Sequence, residues 1–324
     1  MSQTNELEIM ERIALDLEHV EESLASSFNT GAEDFNALIR PLSAAGGKRL
    51  RAQLCLLIAN AWYIYRASTH SKIAEAVEML HLATLIHDDV LDQAEIRRGE
   101  DTIHMHKGNK VAILSGDYLF AKAFKIVSEM TNMKYLQVFS HIITCLVEGE
   151  FMQMEDVYRI DQGIERYMTK TQKKTADFME GCMELGGLLG DWQEDEIIEL
   201  KKYGHALGMA FQITDDIMDY RETAETTGKP VGNDLREGLL TYPLLSIVND
   251  GNKDKLLEEI KGLNNGGNEQ DIIDYVITQG GIDNTLAVAD KYCKDALAAL
   301  AAVRDFPGKE FLVMAVENLA DRKV

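Results

Sequence analysis

Proline is scarce in this sequence, and its scarcity is the first indication of the fold. Only four prolines occur among 324 residues, so very long stretches contain no residue that interrupts a helix. Alternating apolar and polar runs, which form half-buried strands, are also rare, whereas apolar residues recur at helical spacing almost everywhere. The sequence therefore predicts an all-α protein.

Long apolar runs and paired cysteines are missing as well. The longest apolar run, residues 52–62, is interrupted by two polar residues and is too short to span a bilayer. The N-terminus is polar and acidic and lacks the basic and apolar parts of a signal peptide. The four cysteines lie far apart without spacing typical of metal ligands, so we expect reduced core thiols. We therefore expect a cytoplasmic protein without a transmembrane segment.

Basic residues are fewer than acidic residues in this sequence. The chain has 33 basic residues against 54 acidic ones, which gives a formal net charge of −21. This balance makes nucleic acid and anionic membrane surfaces poor candidate partners. An acidic protein can still bind an anionic ligand where a cation stands between the two.

Apolar residues at helical spacing predict a chain of helices separated by short breaks. No shift in composition marks a domain boundary, so we expect one domain over residues 1–324. Two breaks, residues 95–108 and 222–238, are rich in charged residues and glycine. The predicted helices cover residues 5–28, 32–44, 48–65, 71–92, 110–130, 133–158, 163–188, 193–221, 240–249, 253–263, 269–279, 284–302 and 308–321.

The motif Asp-Asp-x-x-Asp occurs twice, and each time it follows an apolar helical segment. Helical residues four apart share a face, so Asp88 lies with Asp92, and Asp215 with Asp219. Like charges held this closely in apolar surroundings need a cation, and Mg²⁺ is held by carboxylates together with substrate phosphates. Two such motifs disfavour the alternative, an exposed acidic helix end. We therefore predict that the motifs face each other and bind diphosphate through magnesium.

Basic residues accompany both motifs. A glycine pair leading into a helix with lysine and arginine favours phosphate binding, because a helix N-terminus attracts anions. Adjacent arginines alone are more often solvated surface charge. The basic segments are Gly46–Arg51, Arg97-Arg98, Lys173-Lys174 and the loop around Lys229.

One histidine also belongs with these residues. His81 precedes Asp88 by two helical turns and so shares the aspartate face, although a lone histidine on a helix is more often structural. His87 is expected to point elsewhere. His104, His106 and His141 show no spacing that suggests a metal site, and we expect them in loops or on the surface.

Together these motifs resemble those of the trans-type polyprenyl diphosphate synthases. The resemblance runs from about residue 40 to about residue 245, and the remaining C-terminal part matches only in being helical. It implies a single large bundle of long helices around a central cavity, with the aspartate motifs on opposing walls. The matching segments are G-G-K-R-L-R, H-L-A-T-L-I-H-D-D-V-L-D-Q-A-E-I-R-R-G, K-T-A at 174–176 and F-Q-I-T-D-D-I-M-D.

The resemblance also implies a reaction. Members of this family add isopentenyl diphosphate head to tail to an allylic diphosphate, while two or three Mg²⁺ ions bridge the aspartates and the allylic diphosphate. The leaving diphosphate is stabilised by charges fixed in advance, and an apolar cavity shields the allylic cation from water.

Roles for individual residues follow from the resemblance alone. It assigns magnesium to Asp88, Asp92, Asp215 and Asp219. It assigns the allylic diphosphate to Arg97, Lys174, Gln212 and Lys229, and isopentenyl diphosphate to Lys48, Arg51, His81 and Arg98. Thr175 would turn its oxygens toward the cation, and Asp89 and Asp216 would orient the residues around them.

Product length in this family depends on the cavity floor below the first aspartate motif. Short-chain members place a bulky aromatic residue four or five positions before that motif, where this chain has Thr84 and Ala83, and Leu80 lies one turn below. The absence of an aromatic residue predicts a product of about C30 to C50. The alternatives are a C15–C20 product and an Ala83 that merely packs against another helix.

One departure from the family pattern concerns subunits. Leu239 stands where the family often has a lysine that contacts the allylic diphosphate, and some catalytic subunits that need a small partner protein also lack that lysine. A heteromer is therefore an alternative to the expected homodimer. A terpene cyclase is disfavoured because the second motif is not of the N-D-x-x-S-x-x-x-E type. A non-catalytic prenyl-binding subunit is disfavoured because both aspartate motifs are present.

Overall fold

The computed structural model describes residues 3–26, 49–62, 67–97, 99–221 and 232–321, and most of them are helical. The predicted all-α fold is confirmed. Strands in these ranges are limited to β1, Ile96–Arg97, and β2, Glu100–Asp101, which pair antiparallel with Ile96 opposite Asp101. Within the same ranges, no helix combines the length and apolarity that crossing a bilayer requires.

The helices follow the predicted order. They are α1 Gln3–Ser26, α2 Leu50–Ala59, α3 Ala67–Leu91, α4 Ile103–Lys107, α5 Asn109–Ser128, α6 Met133–Glu155, α7 Gly163–Thr171, α8 Asp177–Leu189, α9 Glu194–Arg221, α10 Asn233–Glu237, α11 Tyr242–Leu245, α12 Lys253–Gly262, α13 Glu269–Thr278, α14 Gly281–Ala302 and α15 Lys309–Asp321. A π-helical segment, Gln172–Ala176, joins α7 to α8, and a 3₁₀ turn, Leu263–Asn265, follows α12.

Several boundaries differ from the prediction. The helix predicted over 163–188 contains the π-helical segment, and the predicted break over 222–238 contains α10. The helix predicted over 240–249 is regular only in α11, where Pro243 occupies its first turn. The helix predicted over 48–65 ends at Ala59, and the one predicted over 32–44 lies outside the described residues.

Contacts divide the chain into two compact units. The first comprises Met1–Ser140, Cys182–Ile197 and Asp305–Lys309, and the second comprises His141–Gly181, Ile198–Arg304 and Glu310–Val324. The first aspartate motif belongs to the first unit and the second motif to the second unit. The expected single domain over residues 1–324 stays a prediction.

The core of the first unit contains a cluster of aromatic rings. Trp192 contacts Trp62 and meets Phe306 edge to face, and its indole N–H donates to the carbonyl oxygen of Ile58 at 2.9 Å. The buried indole is thereby satisfied, as a polar group in a core requires.

Helix α3, which carries the first motif, packs against α5 in this unit. The ring of His87 fills the space beside Gly116, where a Cβ atom would lie only 2.1 Å from its Nε2, and it also contacts Phe120. His87 therefore points toward α5, as predicted.

In the second unit, α7 and α9 to α14 contribute buried apolar side chains to one core. Ile213 and Ile217 anchor α9 there, and Asp215 and Asp219 stand two residues out of phase with them. At the helical period of 3.6 residues this phase turns both aspartates away from the core. The apolar residues of α9 thus determine which way the second motif faces.

Helix α9 lies very close to the π-helical segment. A Cβ atom at Gly208 would lie 2.6 Å from the Cα of Ala176, so only glycine allows the two backbones this approach. Gly208 is one turn before Gln212, and Ala176 follows Thr175, so the contact also brings these two predicted site residues together.

We predict that Gly208→Ala lowers the free energy of unfolding by about 1–3 kcal/mol, because the added methyl group must push two backbones apart. Gly262→Ala is the matched control, since nothing lies within 4 Å of a Cβ atom at that helical glycine. The control is expected to be neutral or stabilising by up to about 1 kcal/mol. Urea unfolding measures both changes, and equal stabilities of the two variants would contradict the close approach.

Candidate functional site

The first motif lies where α3 ends. Asp92 is one residue beyond the helix, but its N–H still donates to the carbonyl oxygen of Asp88 at 2.8 Å, so the helical spacing of the outer pair is kept. Gln93 then adopts a left-handed conformation, with φ of 52°, and turns the chain away. Asp88 is half-buried and Asp92 exposed. The expectation that the outer carboxylates are buried is therefore wrong for Asp92, because the helix has ended there.

The middle carboxylate of this motif is the buried one. Asp89 accepts a hydrogen bond from Nε of Arg97 at 2.5 Å, and its side chain is 6% exposed. The turn between α3 and β1 returns Arg97 to the end of the helix, where this charge-assisted bond orients its guanidinium. The expected orienting role of Asp89 agrees with this contact.

A contact between an arginine of α2 and a histidine of α3 lies two helical turns before the first motif. Nη1 of Arg51 lies 3.3 Å from Nε2 of His81, and an arginine nitrogen can only donate in such a contact. Burial lowers the pKa of Arg51. The structure thus brings together two of the residues predicted to bind isopentenyl diphosphate, while Lys48 and Arg98 lie outside the described residues.

Glu78 fixes the start of α2 beside these residues, a contact that sequence reasoning missed. Its buried carboxylate accepts the N–H of Ala52 at 3.2 Å and Nη1 of Arg49 at 3.4 Å. Burial raises the pKa of Glu78, against the attraction of Arg49. Arg49 itself has a left-handed backbone, with φ of 44°. The basic segment is therefore tied to the helix that carries the first aspartate motif.

In the second unit, a hydrogen-bonded chain links four residues. Thr175 Oγ1 donates to Oε1 of Gln212 at 2.9 Å, and Nε2 of Gln212 donates to Oδ1 of Asp216 at 3.1 Å. The hydroxyl of Tyr167 donates to the other oxygen of the same carboxylate. These hydrogen bonds bring Thr175 and Gln212 together and are consistent with the expected orienting role of Asp216.

Burial shifts the pKa values of two of these hydrogen-bonded residues, Asp216 and Tyr167. Burial raises the pKa of Asp216, and the hydrogen bonds from Tyr167 and Gln212 oppose that shift by stabilising the carboxylate. Burial and the charge of Asp216 raise the pKa of Tyr167, so its hydroxyl keeps the proton that it donates. Both aspartate motifs therefore have a buried middle carboxylate held by a donor from elsewhere in its own unit.

Asp219, the last aspartate of the second motif, caps a helix. Its two oxygens accept the N–H groups of Asn233 and Asp234 at 3.2 and 3.3 Å, which satisfies two donors at the start of α10. Burial raises the pKa of Asp219 against these bonds. A carboxylate offers about four lone pairs, so capping leaves acceptor positions for a cation. Lys229 lies outside the described residues.

The chain then reaches Leu239 directly after α10. The N–H of Leu239 donates to the carbonyl oxygen of Asp234 at 2.8 Å, and Gly238 before it has φ of 75°. Position 239 is thus anchored to the helix that Asp219 caps. In this protein the position carries the apolar side chain of leucine, where the family often has a lysine.

Lys174 is positioned by the π-helical segment, which sequence reasoning missed. Its Nζ lies 2.6 Å from Oε2 of Glu150, while Lys173 pairs with Glu148 at 2.5 Å. Gly149 between the two glutamates permits the approach, because a Cβ atom there would lie 3.0 Å from the backbone nitrogen of Lys174. π-Helical segments recur at functional sites.

Histidine and cysteine side chains form a cluster in the second unit that the sequence interpretation did not anticipate. Ligand atoms of His141, Cys145 and Asp177 all lie within 4.8 Å of one another, as do those of Asp177, Glu180 and His205. His141 and Cys145 are one helical turn apart on α6, so their side chains share a face of that helix. All four cysteines are buried and free, as predicted.

The carboxylates of the two motifs suit a different ion. In each motif the two outer carboxylates offer the oxygen donors that Mg²⁺ accepts together with phosphate and water. The donor chemistry of each motif, taken by itself, therefore fits the expected binding of magnesium. The partial exposure of these carboxylates leaves them accessible to an incoming metal-bound anion.

Comparison with known proteins identifies the family. A family model described as Polyprenyl synthetase matches residues 32–279, well over half of the chain. The chain belongs to the polyprenyl synthetase family. The resemblance seen in its motifs is thereby confirmed.

Relatives within the polyprenyl synthetase family match over nearly their whole length. Octaprenyl diphosphate synthase of Escherichia coli (strain K12) is 33% identical over 94% of this chain and 95% of its own. Heptaprenyl diphosphate synthase component 2 of Geobacillus stearothermophilus is 34% identical over 88% and 89%. Among solved structures, the polyprenyl synthase of Caulobacter crescentus CB15, complexed with calcium and isoprenyl diphosphate, has a TM-score of 0.85 and 32% identity over 97% and 96%. The chain shares the helical fold of these proteins.

We predict that Tyr167→Phe lowers the free energy of unfolding by about 1.5–3 kcal/mol at pH 8, because a buried carboxylate loses a donor. The loss should shrink as the pH falls through the raised pKa of Asp216, since the protonated acid no longer needs that donor. Urea unfolding in EDTA at pH 8 and pH 5 measures both effects.

Tyr203→Phe is the matched control. The hydroxyl of this buried tyrosine donates to the carbonyl oxygen of Leu312 at 2.8 Å, and that oxygen lies in the first turns of α15, where it also accepts a helical hydrogen bond. We expect a loss of about 1 kcal/mol without the same pH dependence. Identical pH profiles of the two variants would contradict the role given to the Tyr167–Asp216 pair.

Proposed function

We propose that this protein condenses isopentenyl diphosphate head to tail with an allylic diphosphate and makes an all-trans polyprenyl diphosphate of about C30 to C50. The observation that carries the proposal is common to both aspartate motifs. In each, a buried middle carboxylate binds a residue predicted to contact substrate: Arg97 in the first motif and Gln212 in the second. The names of the octaprenyl and heptaprenyl relatives support the reaction and the product class.

Magnesium would be held by Asp88 and Asp92 in one motif and by Asp215 and Asp219 in the other. When bound, two or three Mg²⁺ ions neutralise the charge that develops on the leaving diphosphate. The calcium and isoprenyl diphosphate bound to the Caulobacter crescentus relative support a divalent cation beside a prenyl diphosphate in this family.

The side chains of the protein would bind and orient the two diphosphate substrates and stabilise the allylic cation. Arg97, Lys174 and Lys229 would neutralise the allylic diphosphate, and Lys48, Arg51, His81 and Arg98 would hold isopentenyl diphosphate without metal. Gln212 would contact the allylic diphosphate, and Thr175, which donates a hydrogen bond to Gln212, would turn its oxygens toward the allylic cation. Donors fixed before ionisation need no reorganisation during the reaction, which is the main advantage of such a site.

The central experiment measures Mg²⁺-dependent release of diphosphate from farnesyl and isopentenyl diphosphates by the purified chain. Asp88→Asn should lower the rate at least about 10²–10³-fold, because it removes a carboxylate proposed to hold the Mg²⁺ that neutralises the leaving diphosphate. Asp161→Asn, at a 77% exposed aspartate outside both motifs, is the matched control and should retain full rate. Release without metal, or equal rates for the two variants, would overturn the proposal.

The proposed product length depends on the helix turn before the first motif. Ala83 and Leu80 are fully buried, and Thr84 is half-buried with its hydroxyl donating to the carbonyl oxygen of His81 at 2.7 Å. Small side chains at 83 and 84 would let a growing tail pass this turn.

We predict that Ala83→Phe shortens the main product to about C15–C20, because an aromatic ring closes the path along α3. Mass analysis of the products reports the chain length. Lys72→Phe adds the same ring at an exposed position of α3 and should leave the product unchanged. A folded, active Ala83→Phe enzyme with products of unaltered length would show that Ala83 only packs against a neighbouring helix.

A heteromeric enzyme is an alternative within the same proposal. Leu239 replaces a cation just beyond the helix that Asp219 caps, and a relative covering most of this chain is called component 2 of a heptaprenyl synthase. Full-rate synthesis of long products by the purified chain alone, in the assay above, decides against a required small partner.

We also propose a homodimer in the cytoplasm. Val147, Phe151 and Met154 recur at helical spacing on α6 and are 48%, 62% and 55% exposed. An apolar stripe of this kind is typical of a surface covered by a partner helix, and a second copy of this chain would cover it. The four free thiols are in keeping with a reducing compartment.

A further inference from the structure

A second set of potential metal ligands lies in the second unit and includes none of the residues assigned to the prenyl transfer. His141 and Cys145 stand one turn apart on α6, and Asp177 opens α8 directly after the π-helical segment. Cys145 is 4% exposed and Asp177 7% exposed, whereas His141 is exposed to solvent. Two buried ligands and one at the surface give an ion a path into the cluster.

The distances suit a tetrahedral ion. Sγ of Cys145 lies 3.7 Å from Nε2 and 3.8 Å from Nδ1 of His141. Bonds of 2.3 Å to sulfur and 2.0–2.1 Å to nitrogen at a tetrahedral angle require a separation of about 3.5 Å between the two ligand atoms. The sulfur is almost equidistant from the two ring nitrogens, so metal binding requires the exposed imidazole to rotate until one nitrogen points at the ion.

The surroundings of Asp177 resemble those of a metal ligand. Nε2 of Gln172 donates to Oδ1 of Asp177 at 3.2 Å and holds the carboxylate in place from the π-helical segment. Outer hydrogen bonds of this kind orient metal ligands. The ligand atoms of Glu180 and His205 lie within 4.8 Å of the Asp177 carboxylate. Glu180 and His205 also line a cavity of about 710 Å³.

We propose that His141, Cys145 and Asp177 bind one zinc-class divalent cation, with water in the fourth position. Thiolate and imidazole favour Zn²⁺ and Co²⁺ over Mg²⁺, which prefers oxygen ligands alone. Binding releases the thiol proton to solvent, because sulfur coordinates metal as the thiolate. The site differs from the aspartate motifs in ligand chemistry, and it does not depend on the proposed prenyl transfer.

Cobalt is a spectroscopic probe for this site. The metal-free full-length protein is titrated with Co²⁺ in excess Mg²⁺, which occupies the aspartate motifs. We expect a thiolate-to-cobalt charge-transfer band and the visible bands of four-coordinate cobalt, saturating at one equivalent per chain and lost on addition of Zn²⁺. Absence of the charge-transfer band at saturating Co²⁺ would overturn the proposal.

Matched variants identify the ligands. Cys145→Ser should abolish the charge-transfer band, whereas Cys293→Ser, at another buried cysteine of the second unit, should retain it. His141→Ala, at an exposed position that tolerates substitution, should weaken Co²⁺ binding at least about tenfold, and the exposed His106→Ala should not. Retention of the band in Cys145→Ser, or unchanged affinity in a folded His141→Ala, would assign the metal elsewhere.

Discussion

The arrangement of each aspartate motif depends on one buried carboxylate at its centre. Asp89 and Asp216 cannot remain charged in an apolar setting without donors, because an isolated buried charge is strongly unfavourable. Arg97 supplies the donor in the first unit, and Tyr167 and Gln212 supply them in the second. The same bonds that satisfy these carboxylates orient the residues predicted to contact substrate. Stability of the motif and order in the site are therefore produced by the same contacts.

Much of this could be predicted from the sequence. Scarce proline and helical periodicity were sufficient for the all-α fold, since these signals extend over long segments. The spacing of the aspartates predicted that Asp88 and Asp92 keep helical register, and the order of the motifs identified the family before any comparison. Arg51 and His81, thirty positions apart in the chain, were assigned to one substrate and lie in contact.

Other features could not be predicted, for physical reasons that differ from case to case. The π-helical segment depends on the close approach of Gly149 and Gly208 from two other helices, which no local pattern reveals. Helix α10 contains few residues and owes its first turn to a cap from Asp219, fourteen residues earlier. The three proposed metal ligands come from two helices, His141 and Cys145 from α6 and Asp177 from α8, so no single sequence motif contains them.

The attachment of Arg49 and Arg51 to α3, through Glu78 and His81, has a consequence for the spacing of the two proposed diphosphate sites. His81 and Asp88, proposed to serve different diphosphates, are seven residues apart on one continuous helix. At 1.5 Å per residue their separation along the axis is about 10 Å. The helix therefore fixes the distance and the angle between the two proposed diphosphate sites. Inserting or deleting a single residue between His81 and Asp88 would turn one site by about 100° relative to the other.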